Sequence, residues 1–151
     1  MGLAGARPSD PFETVPIGHA LLNSMAVTHA GARFSLGLCM EKVGDRARAA
    51  QCYRNALAAD PGYGPAHHNL AILLEMGGNQ TEAITHYEAA LKAMPQDAGV
   101  RTNLANCCGR LAQSLLGQGR SNEARQALER CRQLGGSPPA TLDRSVKDPS
   151  H

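Results

Sequence analysis

The chain has 151 residues, of which 42% are hydrophobic, only 3% are aromatic and none is tryptophan, so it suffices for one domain with a core mainly of alanine and leucine. A net charge of +2, with 19% charged residues, gives no reason to expect a nucleic acid or a membrane surface as a partner. The absence of a run of about 20 apolar residues and of a basic-then-apolar leader predicts a cytoplasmic protein without a membrane span.

The N-terminal segment divides into two parts. Residues 1–9 are small and polar without periodicity, which predicts disorder. Asp10, Pro11 and Glu13 then form a helix-start signal, and we predict an extra N-terminal helix within residues 10–28. Its apolar stripe is Ile17, Leu21, Leu22 and Met25. This helix either covers the open face of the helices that follow or runs straight into the first of them.

Two stretches of the chain, residues 30–61 and 64–95, repeat each other at a spacing of 34 residues. A self-match at a fixed period is the signature of a repeat architecture. Each copy reads as two amphipathic helices, A and B, joined by a glycine turn and closed by a proline. The matching pairs are Gly44 and Gly78, Ala49 and Ala83, Tyr53 and Tyr87, Ala56 and Ala90, and Pro61 and Pro95.

The same residues show the pattern of a known family. Copy one has Leu36, Gly37, Ala49, Tyr53, Ala56 and Pro61, and copy two has Leu70, Ala71, Leu74, Ala83, Tyr87, Ala90 and Pro95. A less regular third copy has Leu104, Ala105, Gly119, Ala124, Leu128 and Cys131 and lacks the proline. The pattern resembles the tetratricopeptide repeat (TPR) family, except that Arg33, His67 and Arg101 replace its opening aromatic residue. The resemblance implies an all-α solenoid of three helix-turn-helix repeats at residues 30–63, 64–97 and 98–135.

Local signals support the helix boundaries in the first two copies. Gly44 and Gly78 are suited to the left-handed residue that ends helix A. Asp45 and Asn79 follow them at the N-cap of helix B. Helix A of copy one carries the apolar residues Leu36, Leu38, Met40 and Val43.

The third copy contains an insertion. Its glycine turn and helix B come seven residues later than the period predicts, which is about two helical turns. Helix A should therefore extend to about Leu116 and project about 10 Å beyond its neighbours. We predict a possible interface on this overhang, at Leu111, Ala112, Leu115 and Leu116. Alternatively, the N-terminal helix or a longer helix B covers it. The tail, residues 136–151, lacks apolar periodicity, which predicts disorder.

The TPR resemblance also implies a concave groove lined by the A helices, which in this family commonly holds a peptide. The predicted groove residues are Phe34, Ser35, Leu38, Glu41, His68, Asn69, Ile72, Glu75, Thr102, Asn103, Asn106 and Arg110. Asn69 and Asn103 are equivalent, and their amides can both donate to and accept from a peptide backbone. They are similar to the asparagine ladder in the TPR arm of O-GlcNAc transferases. The alternative is ordinary TPR usage without a ligand.

A different TPR subgroup is disfavoured. Co-chaperone TPR domains that bind the C-termini of Hsp70 and Hsp90 need Lys or Arg near the start of helix A in copies one and three. The corresponding residues here are Phe34, Leu38, Gly99 and Asn103, and only Asn69 matches. We therefore predict no such two-carboxylate clamp.

Catalytic chemistry and cofactors are not expected. The five cysteines have no zinc-type spacing and are interpreted as reduced core residues. No phosphate-binding glycine loop is present. His68 faces the groove without a nucleophile beside it, whereas His67 occupies a packing position. The sequence predicts neither an enzyme nor a metal site.

These observations favour a non-catalytic adaptor or scaffold that binds a protein or peptide in the groove. A self-associating subunit that uses the overhang, and so forms a homo-oligomer, is an alternative. A targeting arm for an enzyme on another chain is a third.

Overall fold

The computed structural model describes residues 16–138 and Leu142, and the helices account for most of them. They are α1 (Pro16–Lys42), α2 (Arg46–Ala59), α3 (Gly64–Met76), α4 (Gln80–Ala93), α5 (Ala98–Gly117) and α6 (Ser121–Gln133). No strand occurs in this part of the chain. The residues before Pro16, including those predicted to be disordered, lie outside the described region.

The helices pack in three successive pairs. The most extensive contacts are α1 with α2, α3 with α4 and α5 with α6, and the pairs are joined by contacts of α2 with α3 and of α4 with α5. Each helix thus touches mainly its neighbours along the chain, as in a solenoid. The prediction of an all-α solenoid built from helix-turn-helix units is confirmed.

The turn between helices A and B has the same construction in all three pairs. Gly44, Gly78 and Gly119 have φ of +82°, +82° and +74°, a region that favours glycine. In the first pair the amide of Gly44 donates to Glu41 O, and the amide of Asp45 donates to Met40 O, one residue earlier. Equivalent bonds close α3 and α5. Asp45 and Asn79 accept N-cap hydrogen bonds from Arg48 N and Glu82 N, as predicted.

A tyrosine lies at the centre of each of the first two pairs. Tyr53 and Tyr87 are fully buried, each within its own hydrophobic cluster. In the first pair the helices approach so closely that a Cβ built on Gly37 would lie 2.4 Å from a ring carbon of Tyr53. This close approach explains the glycine at a position where copies two and three have alanine.

The predicted N-terminal helix and helix A of copy one form a single helix, α1. No proline lies between residues 17 and 42, and one glycine such as Gly31 weakens a helix without ending it. Because the N-terminal segment continues α1 in the same helix, it does not fold back over the first repeat. Met25, Leu36 and Val43 on α1 and at its end are exposed. The predicted apolar stripe of copy one therefore belongs only partly to the core. The side chains of Ile17, Leu21 and Leu22 lie outside the described set.

The predicted overhang is covered by α6. With 20 residues, α5 is seven residues longer than α3, but Ala112 is fully buried and Leu115 is only 6% exposed. Leu111 and Leu116 pack against the same cluster, to which α6 contributes Ala124 and Leu128. The expectation of an exposed interface here is corrected for a geometric reason. The turn between α5 and α6 is short, so α6 begins beside the end of the extended α5 and covers it.

The first residues after α6 lie against α5 and α6. The amide of Gly136 donates to Cys131 O at 2.9 Å, and a Cβ at Gly136 would lie 2.9 Å from Cβ of Ala105. Leu142 packs against the cluster formed by α5 and α6. For residues 136–138 and Leu142 this differs from the predicted disorder, and the other tail residues lie outside the described set.

Candidate functional site

The predicted groove residues all lie on α1, α3 and α5, and we call the surface that they form the A-helix face. Five of them are exposed: Ser35, Leu38, Thr102, Asn106 and Arg110. The others are half-buried: Phe34, Glu41, His68, Asn69, Ile72, Glu75 and Asn103. The face therefore combines exposed side chains with half-buried ones, and five of the seven half-buried side chains are polar.

Two hydrogen bonds link successive repeats across this face. The side-chain amide of Asn69 donates to the hydroxyl of Tyr53 at 3.3 Å, and that of Asn103 lies 3.0 Å from Nε2 of His68. The two asparagines are equivalent in the repeat but have different partners, because Tyr53 and His68 occupy different repeat positions. Each amide thus makes one contact within the protein, which holds its orientation.

The remaining groove residues near the helix starts have local contacts. The ring of Phe34 lies between Tyr53 and Tyr63, with centroid distances of 5.5 Å to each. The hydroxyls of Ser35 and Thr102 donate to the carbonyl four residues earlier in their own helices. Phe34 therefore belongs mainly to the core of the first repeat, and the two hydroxyls lie on the surface.

A paired tyrosine and glutamate recur in the first two repeats, a feature that sequence reasoning missed. The hydroxyl of Tyr53 donates to Glu41, and that of Tyr87 donates to Glu75 at 3.0 Å. Burial, reinforced by the carboxylate, raises the pKa of both phenols above the ordinary value. The spacing of 12 residues, repeated after 34, could have revealed the pair.

Glu75 also contacts the third repeat. Its Oε1 lies 2.9 Å from a guanidinium nitrogen of Arg110, although the atoms are not aligned as a hydrogen bond. The Glu75 side chain is nearly buried and that of Arg110 is exposed. This ion pair joins α3 and α5 at the end of the A-helix face where the A–B turns lie.

Two histidines face each other in the second repeat. Nδ1 of His67 lies 2.8 Å from Nδ1 of His86, and Nε2 of His67 lies 2.9 Å from Pro61 O. Because a carbonyl only accepts, Nε2 of His67 carries a hydrogen and donates to Pro61 O. Burial lowers the pKa of His86, and burial also lowers that of His68. The lowered pKa values favour the neutral imidazole of His86 and of His68.

These histidines predict a stability that falls in mild acid. A folded-state pKa below the unfolded value of about 6.5 means that the unfolded chain binds more protons as the pH drops through this window, so stability is lost from about pH 6.5 downward. We expect the melting temperature to fall between about pH 7.5 and about pH 5.5. The fall should be smaller in His86→Gln, measured by circular dichroism.

The exposed His29 provides a control. His29→Gln replaces a histidine on the exposed surface and would be measured in parallel. Equal falls in all three proteins would contradict a role for His86. Besides burial, the side chains that act on the pKa of His86 are His67 and Arg54, which lower it, and Glu82, which raises it.

The buried thiols are unreactive. Burial raises the pKa of Cys107 to about 12 and that of Cys108 to about 11, so neither is a thiolate at neutral pH. Cys131 is also buried, but Cys39 is exposed, so the prediction that all five cysteines are core residues is wrong for Cys39. Within residues 16–138, together with Leu142, no three His, Cys, Asp or Glu side chains are grouped to hold a metal ion.

None of the helices in the described region combines the length and apolar character needed to cross a membrane.

Two family models match the chain, and both describe a tetratricopeptide repeat. One matches residues 64–135 and the other residues 32–64, so together they cover all three helix pairs. No curated protein sequence matches.

Solved structures show the same fold. The N-terminal domain of stress-induced protein-1 (STI-1) from C. elegans has a TM-score of 0.55 and 21% identity, over 81% of this chain and 94% of that domain. Two crystal structures of MamA have TM-scores of 0.53 and 0.54 and 17% identity, over 87% of this chain and 75% and 69% of theirs. At such identities the likeness concerns the fold alone.

Proposed function

Since this chain belongs to the tetratricopeptide repeat family, whose domains generally mediate protein–protein interaction, we propose that it is a non-catalytic adaptor or scaffold. Its A-helix face would bind a peptide or a helix of a partner protein. The likeness to STI-1 and MamA supports the fold of this binding module and says nothing about the partner.

The observation that carries the proposal is the arrangement of polar groups across successive repeats. Asn69 of α3 contacts Tyr53 of the first repeat, and Asn103 and Arg110 of α5 contact the second repeat, so polar contacts join each repeat to the next. Exposed Leu38 adds apolar area at the α1 side. A surface of this kind offers polar groups for a backbone and apolar contact for side chains.

The asparagines provide a specific way to hold a peptide. An amide group has two donor hydrogens and an acceptor oxygen, and each asparagine uses one nitrogen contact within the protein. Peptide backbone presents alternating donors and acceptors. Two amides on successive repeats can therefore engage an extended backbone with little dependence on its sequence.

The self-associating alternative has less support. It depended on exposed leucines at the end of α5, and Leu115 is buried against α6. The third alternative, a targeting arm for an enzyme on another chain, is also compatible with a peptide-binding face. It differs from the adaptor only in that an enzyme is part of the assembly.

The binding face can be tested without knowing the partner. Peptides would be selected from a phage-displayed random library against the whole chain, and their affinities measured by isothermal titration. We expect Asn106→Arg, which adds bulk and charge at an exposed position of the face, to weaken selected peptides roughly tenfold or more. An acidic peptide ending in EEVD should not bind, because the cations of a two-carboxylate clamp are missing.

The control is Lys92→Ala, at an exposed position of α4 away from the A helices. It should leave affinity within about twofold of the unchanged chain. Peptides that lose affinity with Lys92→Ala but not with Asn106→Arg would contradict the proposed face.

A further inference from the structure

The two tyrosine–glutamate pairs differ in what lies next to the carboxylate. Glu75, the glutamate of the second repeat, has Arg110 of the following repeat at 2.9 Å. The residue 34 positions before Arg110 is Met76, which has no charge and is 57% exposed. Glu41, the glutamate of the first repeat, therefore lacks the cation that its counterpart has.

The surroundings of the two phenols reflect this difference. Arg110 is among the groups that act on the pKa of Tyr87, and it lowers that pKa. The side chains that act on Tyr53 are Glu41, Asn69 and Cys52, none of which is a cation. Among the ion pairs of residues 16–138, Glu75 has a partner and Glu41 does not.

Apolar surface is available near this carboxylate. Leu38, one turn before Glu41 on α1, is 36% exposed. Met76, which occupies in the second repeat the position that Arg110 occupies in the third, is 57% exposed. A long side chain with an aliphatic stem and a positive end would match this combination.

We propose that Glu41 is the anchoring site for an arginine or lysine side chain of the bound partner. The stem of that side chain would lie against Leu38 and Met76, and its cation would pair with the Glu41 carboxylate as Arg110 pairs with Glu75. This inference rests on the proposed function, because the partner that supplies the cation is the peptide or helix bound to the A-helix face. Arginine is favoured over lysine because its planar guanidinium makes directed contacts with a carboxylate.

The chain itself shows why the carboxylate suits this role. One oxygen of Glu41 accepts from the Tyr53 hydroxyl, which holds the group in place. A pre-oriented acceptor loses little freedom when a cation binds. The partner's cation would therefore pair with Glu41 of the first repeat, as Arg110 of the third repeat pairs with Glu75 of the second.

The test uses n-butylguanidinium, which reproduces the arginine stem and head, as a probe for the whole protein. Amide shifts in two-dimensional NMR should change saturably at Leu38, Glu41 and Met76, with a dissociation constant in the millimolar range, as expected for a fragment of this size. Neutral n-butylurea should leave these amides unshifted. Glu41→Gln, which can still accept from Tyr53, should weaken probe binding roughly tenfold.

A reciprocal pair of variants provides a sharper test. Met76→Arg should supply the cation from within the chain and abolish probe binding at Glu41. Arg110→Met should instead create a second probe site at Glu75. Glu88→Gln, at an exposed carboxylate of α4 paired with Arg130, is the control and should not change the response at Glu41. The proposal would be overturned if n-butylguanidinium shifted the same amides equally in Glu41→Gln. It would also be overturned if the probe did not shift the amides of Leu38, Glu41 and Met76 in the unchanged protein.

The outcome can be separated from that of the proposed function. Selected peptides that need Asn106 but bind Glu41→Gln and the unchanged chain equally would leave the binding face intact and overturn the Glu41 site alone. A site that binds n-butylguanidinium while no peptide binds the A-helix face would support the cation site and contradict the broader function.

Discussion

Replacing Leu115 with aspartate is expected to lower the free energy of unfolding by at least about 4 kcal/mol. Leu115 is 6% exposed and packs with Ala112 of α5 and with Ala124 and Leu128 of α6. The substitution removes an apolar side chain from this cluster and leaves a carboxylate there without a partner. Because this cluster packs α5 against α6, we expect the third repeat to unfold first.

The measurement is urea unfolding followed by far-UV circular dichroism, with the mass determined by light scattering. Ser114→Asp places the same charge at the adjacent exposed position and should change stability by less than about 0.5 kcal/mol. A Leu115→Asp protein that stays fully folded and only changes its oligomeric mass would contradict the packing described here. Such a result would instead favour the alternative that the end of α5 is a subunit interface.

Replacing Tyr87 with alanine should destabilise the protein by about 3–5 kcal/mol. The ring is fully buried in the cluster that joins the second and third repeats, which also contains Ala71, Leu104 and Cys108. Removal of the ring leaves a cavity between three helices, and helices fixed by neighbours on both sides can close it only partly. The loss should therefore exceed the transfer free energy of the side chain alone.

Tyr87→Phe is the matched variant for this position. It keeps the ring and removes only the hydroxyl that donates to Glu75, so we expect a loss of about 1 kcal/mol. Both would be measured by urea unfolding at neutral pH, well below the pKa of the phenol, which burial raises further. Equal losses for the two variants would show that the hydrogen bond, rather than ring packing, accounts for the stability at this position.

Local signals in the sequence were sufficient to predict most of the secondary structure. The 34-residue period placed Gly44 and Gly78 at turns that require positive φ, and Asp45 and Asn79 at the caps that follow. The seven-residue insertion predicted the longer α5, because about two helical turns leave its apolar stripe in phase. These features depend on interactions between residues near one another in the chain. A single copy of the repeat is therefore enough to predict them.

The tertiary structure decided which surfaces are covered and which polar groups meet. Leu115 is buried because the short turn brings α6 back along the end of α5, and Leu36 is exposed because α1 continues straight towards the N-terminus. The difference between Glu41 and Glu75 likewise depends on the residue that the next repeat places beside each carboxylate. Such contacts join residues far apart in the chain, and helical periodicity specifies the face of a side chain but not its neighbour.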